Sequence, residues 1–404
     1  MLFSLAMIVL AGLTGGALFY RLKLPSLLGM MMAGILIGPS CLRLLDEQTL
    51  AISGTLRKIA LLIILVRAGF NLKIEDLKKA GRPALLLCFV PATFEIAAFL
   101  IFAPILLGFD LLEAAILGTV MAAVSPAVVV PGMLKVMSEG YGKDKAIPQM
   151  VLAGASADDI YVLVLFSMLT SMAGQSSFHA ETLLRIPTAI LLGITVGVFC
   201  GLGLSALYSR QSIITNTDVQ VLILLSLGML FYALEDVMKG PVVFSGLVAV
   251  MGSAMVVAGK EPQISARLNT GFTHLWKGGE LFLFVLIGAA VNLSYAFQSL
   301  PKNLLLIILC LMVRTIGVIL CMAGTKLSRN EKLFCVCAYL PKATVQAAIG
   351  AVPLTMGLEG GEAILSCAVT SILVCAPVGA ILIDKLYSKL LTTPVAIRQT
   401  DSHP

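Results

Sequence analysis

Apolar residues run along this chain in blocks of about the length that spans a bilayer as a helix, separated by short polar connections. The blocks lie at about residues 2–20, 24–41, 56–72, 83–107, 111–137, 147–173, 183–207, 219–235, 241–259, 279–298, 303–324, 331–356 and 362–386. At a rise of about 1.5 Å per residue, about twenty residues cross a hydrocarbon layer of about 30 Å. The blocks lack the period-two alternation of a membrane strand, and a backbone exposed to lipid must satisfy its own hydrogen bonds. The pattern predicts an all-α polytopic membrane helix bundle of about 13 transmembrane helices. The stretch 260–278 (KEPQISARLNTGFTHLWKG) is polar and only mildly amphipathic, and is expected on the surface. The tail, 390–404, is polar and forms no further span.

Composition agrees with that reading. The 404 residues are 59% hydrophobic and 12% charged, against about 25% charged in a soluble domain. Mean hydropathy is +1.00. The first block has no basic leader and no small-residue cleavage site, so it reads as a span rather than a removed signal. An odd number of spans places the termini on opposite sides. With the N-terminus outside, the inner connections carry Lys and Arg over the outer ones by about three to one, as the positive-inside rule requires. Arg57 and Lys58 count among the outer ones in that reading, and the C-terminal tail is cytoplasmic. The net charge of +6 therefore reports topology and calls for no nucleic acid. Nine cysteines lie in or beside apolar blocks without a CxxC, which marks them as small buried hydrophobes. His179, His274 and His403 fall outside the apolar cores, which argues against zinc or haem. No GxxxxGK[ST] motif is present, and neither a cofactor nor an enzyme activity is expected.

The chemistry sits in the charges that the blocks enclose. The sixth block, IPQMVLAGASADDIYVLVLFSMLTSMA, carries Asp158 and Asp159 near its centre. A carboxylate at mid-membrane costs at least about 2.5–3.5 kcal/mol, so such residues are functional by default. Two adjacent acids point about 100° apart on a helix and can border one cavity without facing each other. Their hard oxygens suit H⁺ and a hard cation such as Na⁺ or Li⁺, which compete for the same atoms. Two regions share one layout. In 83–173 a span with Glu95 precedes a Pro-interrupted span and then the aspartate span; in 303–386 a span with Arg314 precedes a second Pro-interrupted span and a final one. By the span count the two triplets enter from opposite sides. The interruptions read AAVSPAVVVPGM, with Pro126 and Pro131, and AYLPKATVQAAIGAVP, with Pro341. Proline frees backbone carbonyls at membrane depth, and paired interruptions in matched positions point to a transporter's site. Ser125 and Thr344, with Gln346 nearby, are polar side chains at the breaks and candidate oxygen ligands. Arg314 is always protonated and needs an anion, for which Glu95 is the obvious partner. Lys342 is placed to compensate the negative end of a half-helix or the acids themselves.

The stretches VRAGFNL (66–72), AAVSPAVVVPGML (122–134), GASADDI (154–160) and LPKATVQAAIG (340–350) resemble sodium/proton antiporters of the monovalent cation:proton antiporter superfamily, NHA-type branch. With the span pattern, the resemblance covers nearly the whole chain. It implies inverted repeats with two discontinuous crossing helices, a homodimer and elevator-like alternating access in the cell (inner) membrane. It implies that Asp159 is the principal ion-binding carboxylate and Asp158 its partner. Residues 1–72 and 219–298 would form a dimerisation domain, 183–207 a linker helix, and 83–173 with 303–386 the ion-transport core. Many members place a lysine where this chain has Arg314, and a lysine there can release a proton whereas an arginine cannot. The expected activity is exchange of Na⁺ or Li⁺ for H⁺. Rival readings are K⁺/H⁺ exchange and sodium-coupled organic-anion symport. An intramembrane aspartyl protease needs acids on two facing helices and a GxGD motif, which this chain lacks.

Overall fold

Helices form where the apolar blocks run, and prolines and capping side chains decide where they stop. The computed structural model describes residues 1–71, 74–173, 180–209, 216–237 and 244–392. Its helices are α1 Leu2–Arg21, α2 Ser26–Ile37, α3 Glu47–Asn71, α4 Ile74–Leu87, α5 Val90–Leu107, α6 Leu111–Ala122, α7 Pro126–Ser138, α8 Ile147–Ala173, α9 Ala180–Ser209, α10 Thr217–Val237, α11 Gly246–Lys260, α12 Pro262–Ala289, α13 Leu293–Cys321, α14 Arg329–Ala338, α15 Thr344–Ile349, α16 Val352–Thr355 and α17 Gly361–Leu390. No strand occurs among the described residues. His179, His403 and the tail beyond Thr392 lie outside them.

Nine of the described helical stretches are long and apolar enough to cross a membrane. The other expected blocks fall short for separate physical reasons. Helices α2 and α11 are apolar but short, with 12 and 15 residues. The 331–356 block is broken into α14, α15 and α16. The 279–298 block does not exist as one helix, which is a correction. Residues 262–278, expected on the surface, are the first part of α12, a helix of 28 residues that ends at Ala289, with one face exposed and the other buried. Its apolar side chains Ile264, Leu268, Phe272 and Trp276 recur every fourth residue and are buried. Phe272 meets Phe70 of α3 with ring centroids 6.1 Å apart, and Trp276 lies 5.8 Å from the Arg67 guanidinium. Asn292 then starts α13, its side chain accepting from the Tyr295 N–H at 3.3 Å. Arg57 and Lys58 likewise sit within α3 rather than in a connection.

The helices pack in two groups. In the first, α1 lies against α2, α2 and α3 against α12, and α11 against α3, α9 and α10. The α1–α2 approach is backbone on backbone at Gly15 and Gly29, where a methyl on either would overlap the other's carbonyl. In the second group α5 packs against α6 and α13, α8 against α4, α6 and α7, and α17 against α7, α13 and α14. The short helix α15 touches α3 and α12 of the first group from within the second.

The two triplets of the second group are tied reciprocally at their helix starts. Asp110 and Glu113 form a capping box on α6, and Glu113 also accepts from the Gly360 N–H, at the start of α17, at 2.8 Å. Ser328 and Glu331 form the matching box on α14, and Glu331 takes the Lys145 ammonium, just ahead of α8, at 2.8 Å. Each interrupted span thus anchors the third span of the other triplet.

Candidate ion-binding site

Proline and backbone chemistry place two breaks side by side. Helix α6 stops at Ala122; Ala123 and Ser125 are extended, and Pro126 opens α7 at a position that needs no N–H donor. Helix α14 stops at Ala338, the chain runs unwound through Pro341 and Lys342, and α15 resumes at Thr344. The breaks are joined to each other. The Ser125 N–H donates to the Pro341 carbonyl at 2.9 Å, and the Thr344 N–H reaches the Ser125 hydroxyl at 3.5 Å. Pro131 does not mark a break, contrary to expectation: it lies inside α7, which continues through it. The first interruption is therefore the three residues ahead of Pro126.

The carbonyls freed at the first break are already taken. Lys342 donates to the Met121 carbonyl at 2.6 Å, Arg314 to that of Ala122, and Gln346 to that of Ala123 at 2.9 Å. Two cations at the carbonyl end of α6 also oppose the negative pole of that half-helix. The carbonyls that the first break frees thus hold protein side chains. In the sequence Gln346 is only a polar residue near the second break. Its role as a donor to the first break is hidden there, because the partner carbonyl lies more than two hundred residues away in the chain.

The buried charges form one network. Arg314, 1% exposed, donates to Glu95 Oε2 at 2.5 Å and to Asp158 Oδ2 at 3.2 Å, while its Nε reaches the Tyr339 carbonyl at 3.1 Å. Lys342 joins the same Glu95 oxygen at 2.6 Å. The Glu95–Arg314 pair expected from the matched triplets is present, and Arg314 extends it to Asp158. Asp158 Oδ2 accepts in addition from the Val124 N–H in the first break at 3.1 Å.

Asp159, on the same helix α8, is buried at 5% exposure and has no such tie: its Oδ1 has no hydrogen-bond partner. Asp158 Oδ1, the Thr344 hydroxyl and Gln346 Oε1 are also buried without partners. Ser125 and Thr344 are buried at the join between the two breaks. Buried acceptors left unmade cost about 1–3 kcal/mol each, more for charged ones, and oxygen acceptors of this kind suit a hard cation or a proton.

The family model described as "Sodium/hydrogen exchanger, transmembrane" matches residues 5–387. The chain is 32% identical to Sodium/hydrogen exchanger 9B2 of Xenopus tropicalis over 96% of its own length and 75% of the relative's. It is 32% identical to Sodium/hydrogen exchanger 9B2 of Homo sapiens, with the same two coverages of 96% and 75%. Its fold matches the structure of the sodium proton antiporter MjNhaP1 from Methanocaldococcus jannaschii at pH 8 with a TM-score of 0.81 and 20% identity, over 96% of this chain and 97% of that one. The chain is an integral membrane transporter, not an enzyme, and belongs to the sodium/hydrogen exchanger family of monovalent cation:proton antiporters.

Proposed function

We propose that this protein exchanges Na⁺ or Li⁺ for H⁺ at Asp159, with Asp158 as the positioned neighbour and Ser125 and Thr344 supplying further oxygens. The observation that carries the reading is the contrast between the two aspartates. Asp158 is held by Arg314 and the Val124 N–H, whereas the buried Asp159 Oδ1 has no partner. A charge count supports it. Glu95 and Asp158 are balanced by Arg314 and Lys342 within one hydrogen-bonded network. Ionised Asp159 adds a single negative charge, which one monovalent cation or one proton neutralises.

Alternating access follows if the second helix group, which carries the site, moves against the first. Helices α1–α3 and α10–α12 of the first group then form the dimerisation domain of a homodimer in the cell membrane, with α9 as the linker, the N-terminus outside and the C-terminus cytoplasmic. Deprotonation of Asp159 on one side admits the cation, and protons on the other side displace it. Arg314 and Lys342 are both committed to acids and carbonyls, which disfavours an organic-anion substrate at this site. Comparing Na⁺, Li⁺ and K⁺ gradients in proteoliposomes separates the cation choices.

Asp159→Asn keeps the shape of the side chain but cannot ionise. It should abolish cation-driven proton flux in proteoliposomes while leaving the protein folded. Flux near the wild-type level in that variant would remove Asp159 from the mechanism.

A further inference from the structure

Tyr339 ends α14 next to the second break, is fully buried, and its hydroxyl has no hydrogen-bond partner. A buried hydroxyl left unpaired is costly, so its surroundings decide what it serves. Its ring lies under the Arg314 guanidinium at 5.7 Å, and its carbonyl accepts from Arg314 Nε at 3.1 Å. The hydroxyl oxygen rests against Gly154 of α8, where any β-carbon would overlap it. Asp158 lies four residues further along α8, on the same helix face one turn away. No direct hydrogen bond joins the hydroxyl to Asp158, and a helix turn of about 5.4 Å is a gap that one water can bridge. On the Asp158 side an acceptor is waiting: Oδ2 is taken by Val124 and Arg314, and Oδ1 is buried without a partner.

We propose that the Tyr339 hydroxyl, through one water, is the third donor to Asp158 and a positioning residue for the exchange reaction. An unpaired donor and an unpaired acceptor on one helix face satisfy each other in this way, and Gly154 is the residue whose missing side chain makes room. Three donors to one carboxylate keep Asp158 ionised, so that Asp159 alone takes the proton. The inference rests on the ion-site reading above. The other titratable groups around this pair are Arg314 on Asp158, Glu95 and Lys342 tied to Arg314 in the same network, and Asp159, with the thiols of Cys88 and Cys321. None of them is altered by removal of the hydroxyl.

Tyr339→Phe removes only that hydroxyl and keeps the ring under Arg314. Reconstituted as the full chain, it should fold with an unchanged melting temperature. With a donor to the ionised carboxylate gone, Asp158 begins to take protons in the pH range where Asp159 alone does so in the wild type. The acid limb of the exchange profile should therefore move to higher pH, by about half to one unit for one hydrogen bond. The maximal rate and the apparent Na⁺ KM on the alkaline plateau should stay within about twofold, because Asp159 itself is unchanged. Gly154→Ala, whose β-carbon overlaps the hydroxyl and crowds Leu87 Cβ, should give the same alkaline shift with a lowered melting temperature. A Tyr339→Phe profile that superposes on wild type, or is only scaled down at every pH, overturns the proposal. Loss of flux in Asp159→Asn alongside either result shows that the ion-site reading stands independently.

Discussion

Asp158 and Asp159 are neighbours in sequence and opposites in environment. The sequence shows that both acids lie at mid-membrane and that one must differ from the other in direction by about 100°. It does not show which is tied down, because the tie comes from a peptide N–H at Val124 and a guanidinium at Arg314. The Glu95–Arg314 pair was legible, since each charge is costly alone and each holds the same place in its triplet. The further reach of Arg314 was not. Removing one member of a buried pair costs about 3–5 kcal/mol, because the survivor is left uncompensated. Glu95→Gln leaves Lys342 without a carboxylate and Arg314 with Asp158 alone, and should lower the melting temperature sharply, with Arg314→Ala doing the same. Replacing Glu95 and Arg314 together by apolar residues should recover part of that loss in a thermal unfolding assay. Two single variants that melt like wild type would show that the network does not stabilise the fold.

At the scale of elements, the breaks were readable from proline. Pro126 and Pro341 mark real interruptions, and Pro131 shows the limit of that signal: a proline several residues into a helix can be carried without ending it. The 260–278 stretch misled for a different reason. Its charged and polar residues outnumber a fourfold-spaced apolar stripe that is buried once α3 lies against it. Composition averaged over the segment hides a stripe that one helix face reveals. The reciprocal glutamates were also invisible, because their second partners come from the other triplet. They lead to a graded expectation. Loss of an N-terminal cap costs about 0.5–2 kcal/mol. Glu331 is 1% exposed and holds Lys145 as well as its cap, so Glu331→Ala should lower thermal stability more than Glu113→Ala. Equal melting temperatures for the two variants would mean that the Lys145 ion pair contributes no more than the hydrogen bond from the Gly360 N–H to Glu113.

For the whole molecule, the blocks and their charges were enough for an all-helical membrane bundle with two matched triplets. The packing of those triplets into one group, and of the remaining helices into another, comes from contacts between residues hundreds of positions apart. A site whose other charges cancel, and whose Arg314 cannot release a proton, should exchange one monovalent cation for one proton. Flux should then be indifferent to an imposed membrane potential, which a potassium–valinomycin clamp can set. A rate that follows the potential would require a second proton or an unequal exchange.

Competition between cation and proton for the Asp159 carboxylate is the centre of the proposed mechanism, and the apparent Na⁺ KM as a function of pH tests it most directly. Measured on reconstituted protein, the KM should rise about tenfold for each unit of falling pH once the site is mostly protonated, because one bound proton excludes one cation. Saturating Na⁺ should restore the rate at acid pH. A KM that stays flat from acid to alkaline pH would mean that Na⁺ and H⁺ occupy separate sites.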